Sequence, residues 1–391
     1  MFNKTISIIG GTGHVGLPLG ISFALKNFNV QLIDINKKNI NLVNNGIMPF
    51  KEDRAGAALR QLIKTKKIYA SSDLKLIKES KYIIVCIGTP VNTKLKPEVI
   101  NFLNFFKTMK KYLSSNSIII IRSSIYPGVA KKVYNMYKNK FKHISYCPER
   151  IVQGKSLIEL PKLPQIVSGF TKKSILESKK LFTKVCKKII VTGILEAELI
   201  KLFSNSYRYI VFSISNQFFK ICHDLNLDFQ SLRMNMIDGY DRNMGIAKPG
   251  FTAGPCLLKD TMQLSSFLKE KFHLGHSAMS VNESIPTYLV KKLEKKYNLK
   301  KKTIGVMGMS FKAETDDTRD SLALKLVKYL KLKKIKYLCS DPFYKDKNII
   351  SEKEIIKKSD IIIITVPHNK YKKIKIPKSK IVIDIWNIIP K

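Results

Sequence analysis

Acidic residues are scarce: 29 Asp and Glu stand against 70 Lys and Arg in 391 residues, a formal net charge of +41. Such an excess invites a nucleic-acid reading, but that reading needs lysines clustered with aromatics or gathered in a basic tail. They come instead as pairs and triplets spread along the chain, at Lys37-Lys38, Lys187-Lys188, Lys300-Lys301-Lys302 and Lys372-Lys373. This is the pattern of solvated helix faces, so no nucleic-acid partner is expected, although the charge favours anionic ligands. Cysteine is sparse. Cys86, Cys147, Cys186, Cys222, Cys256 and Cys339 form no CxxC pair and no metal-ligand spacing, so no metal is expected and a reducing, cytoplasmic setting fits. No apolar run reaches the ~18 to 20 residues that span a bilayer. No charged leader or cleavage site precedes the strand-like Thr5 to Ile9. A soluble protein without membrane contact is expected. Hydrophobic residues at 45% and charged residues at 25% exclude a disordered chain or a disulfide-stapled scaffold.

What is present is a regular alternation. A chain of this length predicts two or three domains. Over the first 195 residues, short β-branched runs at Thr5 to Ile9, Val30 to Ile33, Tyr82 to Ile87, Ser117 to Ile121 and Lys188 to Val191 alternate with helical patterns. That is the signature of a parallel sheet with crossover helices. Residues 196–298 read differently. One long helix is predicted from Glu196 to about Leu225, with Leu199, Leu202, Phe203, Ile210, Ile214, Phe218 and Ile221 in its periodic set. A Gly- and Pro-containing loop follows from Asp238 to Pro255, then more helix to about Tyr297. Residues 299–391 restart the alternation, with strands at Thr303 to Met307, near Tyr337, at Ile361 to Val366 and at Ile381 to Ile385, and a helix from about Thr318. The expected fold class is α/β: two Rossmann-like, doubly wound domains joined by a central helical segment.

Gly11-Thr12-Gly13-His14-Val15-Gly16 follows the first strand directly and opens a helix, the context in which a GxGxxG pattern carries weight. Gly11 makes the tight turn, Gly13 admits a pyrophosphate to the backbone, and Gly16 lets helix and strand pack, with the anion on the helix N-terminus. Asp34 lies 18 residues after Gly16, at the end of the second strand, where a carboxylate accepts from ribose hydroxyls and repels a 2′-phosphate. NAD is therefore expected in preference to NADP, with a flavin or another nucleotide left open by this motif alone.

A second segment, Pro249 to Asp260, places Cys256 on a turn with Lys259 three and Asp260 four residues on. A helix starting near Cys256 would put Asp260 one turn away on the same face, with the positive helix end at the sulfur. A buried cysteine beside a turn is the bland alternative.

In their order along the chain these motifs resemble the UDP-glucose/GDP-mannose dehydrogenase family. The resemblance runs from Ile6 to about Asn387. It is carried by the glycine fingerprint, Gly88-Thr89-Pro90, Ser123-Ser124 with Pro127-Gly128, Pro148-Glu149-Arg150, Glu198 with Lys201 and Asn205, Gly254 with Cys256 to Asp260, and Phe311-Lys312 with Asp316 to Ser321, followed by Asp341-Pro342 and His368. It implies four-electron, NAD-dependent oxidation of the C6 alcohol of a UDP-linked sugar to a carboxylate, for polysaccharide precursor synthesis. The aldehyde would be captured by Cys256 as a thiohemiacetal and oxidised to a thioester that water releases.

By the same resemblance Lys201 and Asn205 support the oxyanion. Glu149 works through a water held by Ser124, and Asp260 orients water or tunes the thiol. Gly88, Thr89, Pro90 and Arg319 contact the cofactor. Arg150, Gly254, Lys259, Phe311 and Lys312 hold the UDP-sugar, and Arg242 matches an arginine lent to the partner subunit. The central segment matches the family's dimer core, which implies a homodimer. The chain departs from relatives at Ala253 and Pro255. Pro148-Glu149-Arg150-Ile151 with Gly154-Lys155 looks closer to the branch acting on UDP-N-acetylhexosamines than to the UDP-glucose branch, and GDP-mannose is a lesser alternative. A two-electron hydroxyacid-type dehydrogenase, which needs no cysteine, and a non-enzymatic nucleotide- or nucleic-acid-binding module are the competing readings.

Overall fold

A computed structural model describes residues 5–92, 95–252 and 254–390. The β-branched runs form β1 (Thr5–Ile9), β2 (Asn29–Ile33), β4 (Tyr82–Val85), β5 (Ile118–Ile121) and β8 (Ile189–Val191), and three strands outside those runs join them, β3 (Ile68–Ser71), β6 (Ile144–Tyr146) and β7 (Gln165–Gly169). Together they make one sheet in the order β3-β2-β1-β4-β5-β6-β7-β8. The run of four isoleucines in β5 is wholly buried, with Ile118 and Ile120 in the core on one face and Ile119 and Ile121 in the core on the other. A sheet covered by helices on both faces needs such strands, with no polar side. Strand order reverses between β1 and β4, so the carboxyl ends of these two strands flank the crevice where ligands dock in doubly wound sheets.

One pairing departs from the expected parallel sheet, since β6 and β7 run antiparallel. The intervening segment carries only the short helix Ser156–Glu159. A parallel connection needs a crossover of a dozen or more residues, usually a helix that packs on the sheet, and without one the chain turns back.

The chain divides into two compact units, residues 1–204 and 205–391. The long helix runs Ile194–Asp224, starting two residues before the expected Glu196, because Glu196 accepts the Gly193 amide at 2.9 Å and caps the first turn. The second unit adds the helices Phe229–Ile237, Leu257–Phe267, His273–Glu283 and Ile285–Lys296. Its sheet consists of β9 (Thr303–Met307), β10 (Lys336–Ser340), β11 (Ile361–Ile364) and β12 (Ile381–Ile383). The order is β10-β9-β11-β12, all parallel, and it too has a switch point, between β9 and β11. The helix expected from Thr318 begins at Leu322, capped by Ser321. Asp320 adopts a φ of 53°, which a right-handed helix cannot contain. No helix among the described residues is long and apolar enough to cross a membrane.

Candidate active site

The first crevice lies beyond β1. The amides of Gly10 and Gly11 donate to the Ile33 carbonyl at 2.9 and 3.1 Å, which folds the turn against β2. A Cβ on Gly11 would sit 2.5 Å from the Ile8 oxygen, and one on Gly16 would sit 2.3 Å from the Gly10 oxygen. Both positions are dictated by the chain's own packing. Gly13 is different: a Cβ there would meet only the Gly10 oxygen, at an ordinary 3.4 Å. Its missing side chain leaves ground open beside the helix Gly16–Ala24, as a pyrophosphate requires. The Asp34 carboxylate accepts the Thr12 amide at 2.9 Å and the Asn36 amide at 3.1 Å, which holds it toward the glycine turn. Gly88 follows β4 across the switch point, and a Cβ on it would meet nothing within 4 Å. Thr89 donates its hydroxyl to the Ser124 carbonyl, and the Pro90 carbonyl accepts from Glu98 at 3.0 Å. These residues fit a dinucleotide: open backbone for the phosphates and a fixed acid for the ribose.

Glu149 follows β6 and is buried. One carboxylate oxygen accepts the amides of Arg150 and Ile151 at 2.7 and 2.8 Å. The other accepts from the guanidinium of Arg122, a residue that motif reading passes over. Arg122 is itself fully buried and donates to the Cys147 carbonyl at 3.2 Å and to Gln165 at 3.0 Å, its guanidinium 5.1 Å from the Phe182 ring. A buried charge is tolerated only when paired in this way. The Arg150 guanidinium turns to the Pro164 carbonyl.

In the first unit the long helix is anchored by Glu198. This buried side chain accepts the amides of Gly128 and Ala130 at 2.7 and 3.0 Å, at the start of the helix Val129–Tyr137. Burial raises its pKa, and the two amide bonds oppose the rise. Lys201 comes three residues later, buried and with no hydrogen-bond or ion partner among the described residues. One turn on, Asn205 donates to Asp260 at 2.6 Å. Its amide carries a second N–H for another acceptor.

Asp260 is completely buried in the first turn of the helix Leu257–Phe267, where the helix end favours its charge. Lys259 lies 3.0 Å from its other oxygen. Cys256 is the N-cap of this helix, and of the six cysteines it alone is exposed. Burial pushes the Cys147 thiol up to about 12 and those of Cys186 and Cys339 up to about 11.

Two aromatic rings of the second unit support the loop before Cys256. A Cβ on Gly250 would lie 2.3 Å from the Trp386 ring, and one on Gly254, whose φ is 118°, would lie 2.5 Å from the Phe311 ring. The Gly250 amide donates to Asn216 at 2.8 Å, and Asn216 bonds Asn282 at 2.8 Å. Ala253 lies outside the described residues. Asn216 and Trp386 were also invisible to motif reading. The 11-residue spacing from Asn205 to Asn216, three helical turns, was the available signal for the first of them. Arg319 is clamped by Asp317, its Nε 3.0 Å from both carboxylate oxygens. That bond raises the pKa of its guanidinium. Lys312 lies beside Phe311, its Nζ 6.0 Å from the ring. Arg242 sits exposed in a short turn over the Tyr240 ring.

Comparison with known proteins accounts for nearly the whole chain. Residues 4–188 match the NAD binding domain of the UDP-glucose/GDP-mannose dehydrogenase family, residues 195–284 its central domain and residues 305–391 its UDP binding domain. A UDP-N-acetyl-D-mannosamine dehydrogenase of Methanocaldococcus jannaschii is 30% identical over 413 residues, covering 99% of this chain and 93% of the relative. A UDP-glucose 6-dehydrogenase of Rickettsia bellii is 25% identical, covering 97% and 94%. The solved UDP-D-ManNAc dehydrogenase of Pyrococcus horikoshii superposes with a TM-score of 0.90 at 27% identity, over 99% of this chain and 96% of that one.

Proposed function

The chain belongs to the UDP-glucose/GDP-mannose dehydrogenase family and is an NAD-dependent nucleotide-sugar dehydrogenase, and from that premise we propose that it oxidises the C6 alcohol of UDP-N-acetyl-D-mannosamine to the carboxylate through a thioester on Cys256. The choice of sugar is supported by the similarity to several UDP-N-acetyl-D-mannosamine dehydrogenases. The covalent route is supported by one observation above others: the single exposed cysteine caps a helix whose first turn holds Asp260, tied to Asn205 and Lys259.

When bound, NAD would supply the hydride acceptor for both oxidations, of the alcohol and of the cysteine adduct. In the first oxidation, a water held near Ser124 and Glu149 takes the hydroxyl proton as the carbonyl forms. The Lys201 ammonium and the remaining Asn205 N–H stabilise negative charge on the C6 oxygen. The Cys256 sulfur then adds to the aldehyde carbon, forming a C–S bond. Loss of the second hydride restores the C=O bond as a thioester. Water attacks that carbonyl, the C–S bond breaks, and Cys256 leaves as thiolate while the acid departs. One sugar and one water thus reduce two NAD. Phe311, Lys312, Lys259, Arg150 and Gly254 would hold the UDP-sugar, and Arg319 with Gly88, Thr89 and Pro90 the cofactor. The domains 1–195, 196–298 and 299–391 would divide these tasks.

The functional unit is a homodimer in this reading. Phe203, Tyr207, Ile214, Phe218 and Ile221 are exposed along one stripe of the long helix, an apolar face of the kind partners cover, and Arg242 would reach the partner's site. Unpaired cysteines throughout suit the cytoplasm.

The test counts NADH per sugar consumed with UDP-N-acetylmannosamine, UDP-N-acetylglucosamine, UDP-glucose and GDP-mannose. Two NADH per UDP-N-acetylmannosamine are expected, and Cys256→Ala should lose at least about 10³-fold in turnover. One NADH per sugar, or an active Cys256→Ala protein, rejects the thioester.

A further inference from the structure

The second sheet ends in a polar cluster outside the cysteine chemistry. Asp341 closes β10 and is buried. One oxygen accepts the amides of Met309 and Ser310 at 2.6 and 3.2 Å, and the other those of Phe343 and Tyr344, both at 2.8 Å. His368, beyond β11, is fully buried, its Nε2 3.4 Å from Asp341. Burial pushes the Asp341 carboxyl up, but the His368 interaction and the amides of Tyr344 and Met309 outweigh it and bring the carboxyl below its ordinary value.

The contacts of His368, with Ser310 and Glu314, bracket Phe311, Lys312 and Ala313. Its Nδ1 accepts the Glu314 amide at 3.1 Å, which places the ring proton on Nε2. Nε2 lies 3.3 Å from the Ser310 hydroxyl, and that hydroxyl donates to the Lys312 carbonyl at 2.8 Å. The backbone on either side of Phe311 and Lys312 is thus pinned by one imidazole, while the Phe311 amide donates to Asp317 at 2.9 Å.

The first unit shows what this acid could otherwise do. Asp34 ends β2 as Asp341 ends β10, each one strand from its switch point. Asp34 takes a single amide from the β1 turn and one from its own turn. Asp341 is occupied by four amides and an imidazole. Its acceptor capacity is spent inside the protein, so this sheet end cannot receive a ribose as the first one can.

We propose that Asp341 and His368 form a positioning clasp that holds the Phe311–Lys312 loop in the conformation that binds the uridine diphosphate of the substrate. The clasp touches no reacting atom; it acts through the loop, which also carries the ring packed against Gly254 before Cys256. The inference rests on the UDP-sugar reading of this domain, and the probe that tests it, free UDP, needs no turnover.

UDP and NAD are titrated calorimetrically into the full-length wild type and into His368→Ala, His368→Asn and His368→Gln. Asparagine places an amide oxygen near the Nδ1 position and glutamine an amide nitrogen near Nε2, so each keeps one arm of the clasp at nearly the original volume. His368→Ala should weaken UDP at least tenfold with NAD affinity within twofold of wild type, and the two amide variants should each recover part of the loss. Should His368→Ala not fold, the amide variants decide alone, each expected to weaken UDP severalfold without weakening NAD. UDP affinity unchanged in the folded variants, or UDP and NAD weakened together, overturns the clasp, as does a wild type that does not bind UDP. Wild-type turnover is measured alongside: UDP binding without oxidation of any nucleotide sugar overturns the proposed reaction and leaves the clasp to the titration.

Discussion

Three glycines of one motif have three different physical roles, and substitution separates them. Gly13→Ala adds a methyl where the protein offers an ordinary contact, so thermal stability should stay near wild type while the KM for NAD rises at least about tenfold, the backbone no longer reaching the pyrophosphate. Gly16→Ala drives the same methyl to 2.3 Å from the Gly10 oxygen and should destabilise by at least about 2 kcal/mol through overpacking. Denaturant unfolding beside NAD kinetics checks both; equal loss of stability in the two variants would refute the distinction. Such residues were legible in sequence because a turn between strand and helix is a local matter. Arg122 was not. Its partners Gln165 and Glu149 lie 43 and 27 residues away, and one arginine after an isoleucine run carries no spacing signal.

At the level of elements, β-branched runs announced the buried strands, since a two-sided parallel sheet leaves no position for a polar residue in β5. β6 and β7 escaped because they carry Ser145, Gln165 and Ser168, polar side chains that are buried and hydrogen-bonded. Their reversed pairing followed from the missing crossover helix, which is a property of the connection. The long helix was legible over most of its length from apolar period alone, yet period does not say which apolar residues meet the protein's own core. Leu202 and Tyr209 are buried, whereas Ile214 and Phe218 are exposed. If the exposed stripe is the dimer seam, Phe218→Glu combined with Ile214→Glu should halve the mass measured by light scattering and lower activity, leaving helical circular dichroism unchanged. An unaltered mass would reject that seam.

Over the whole molecule, the balance of carboxylates shapes acid stability. Asp341 has its folded pKa lowered, so its contribution is present above the unfolded value near ~3.9 and is lost as pH falls through the lower folded value. Glu198 and Asp384 are raised by burial and contribute in the opposite sense: they favour folding most below their unfolded values, and that advantage fades as pH rises through the folded ones. Asp341→Asn should therefore flatten the loss of stability below about pH 4, seen as a shallower fall of melting temperature on acidification; a slope matching wild type would show that other carboxylates govern it. The architecture and the cofactor class were determined by sequence, because strand periodicity and glycine turns are short-range properties of the chain. The anion-holding network of Arg122 with Glu149, the seat of the cysteine loop on Trp386 and Phe311, and the clasp of Asp341 with His368 were decided only by tertiary structure. Each depends on side chains distant in sequence meeting in a space too poor in water for any of them to remain unpaired.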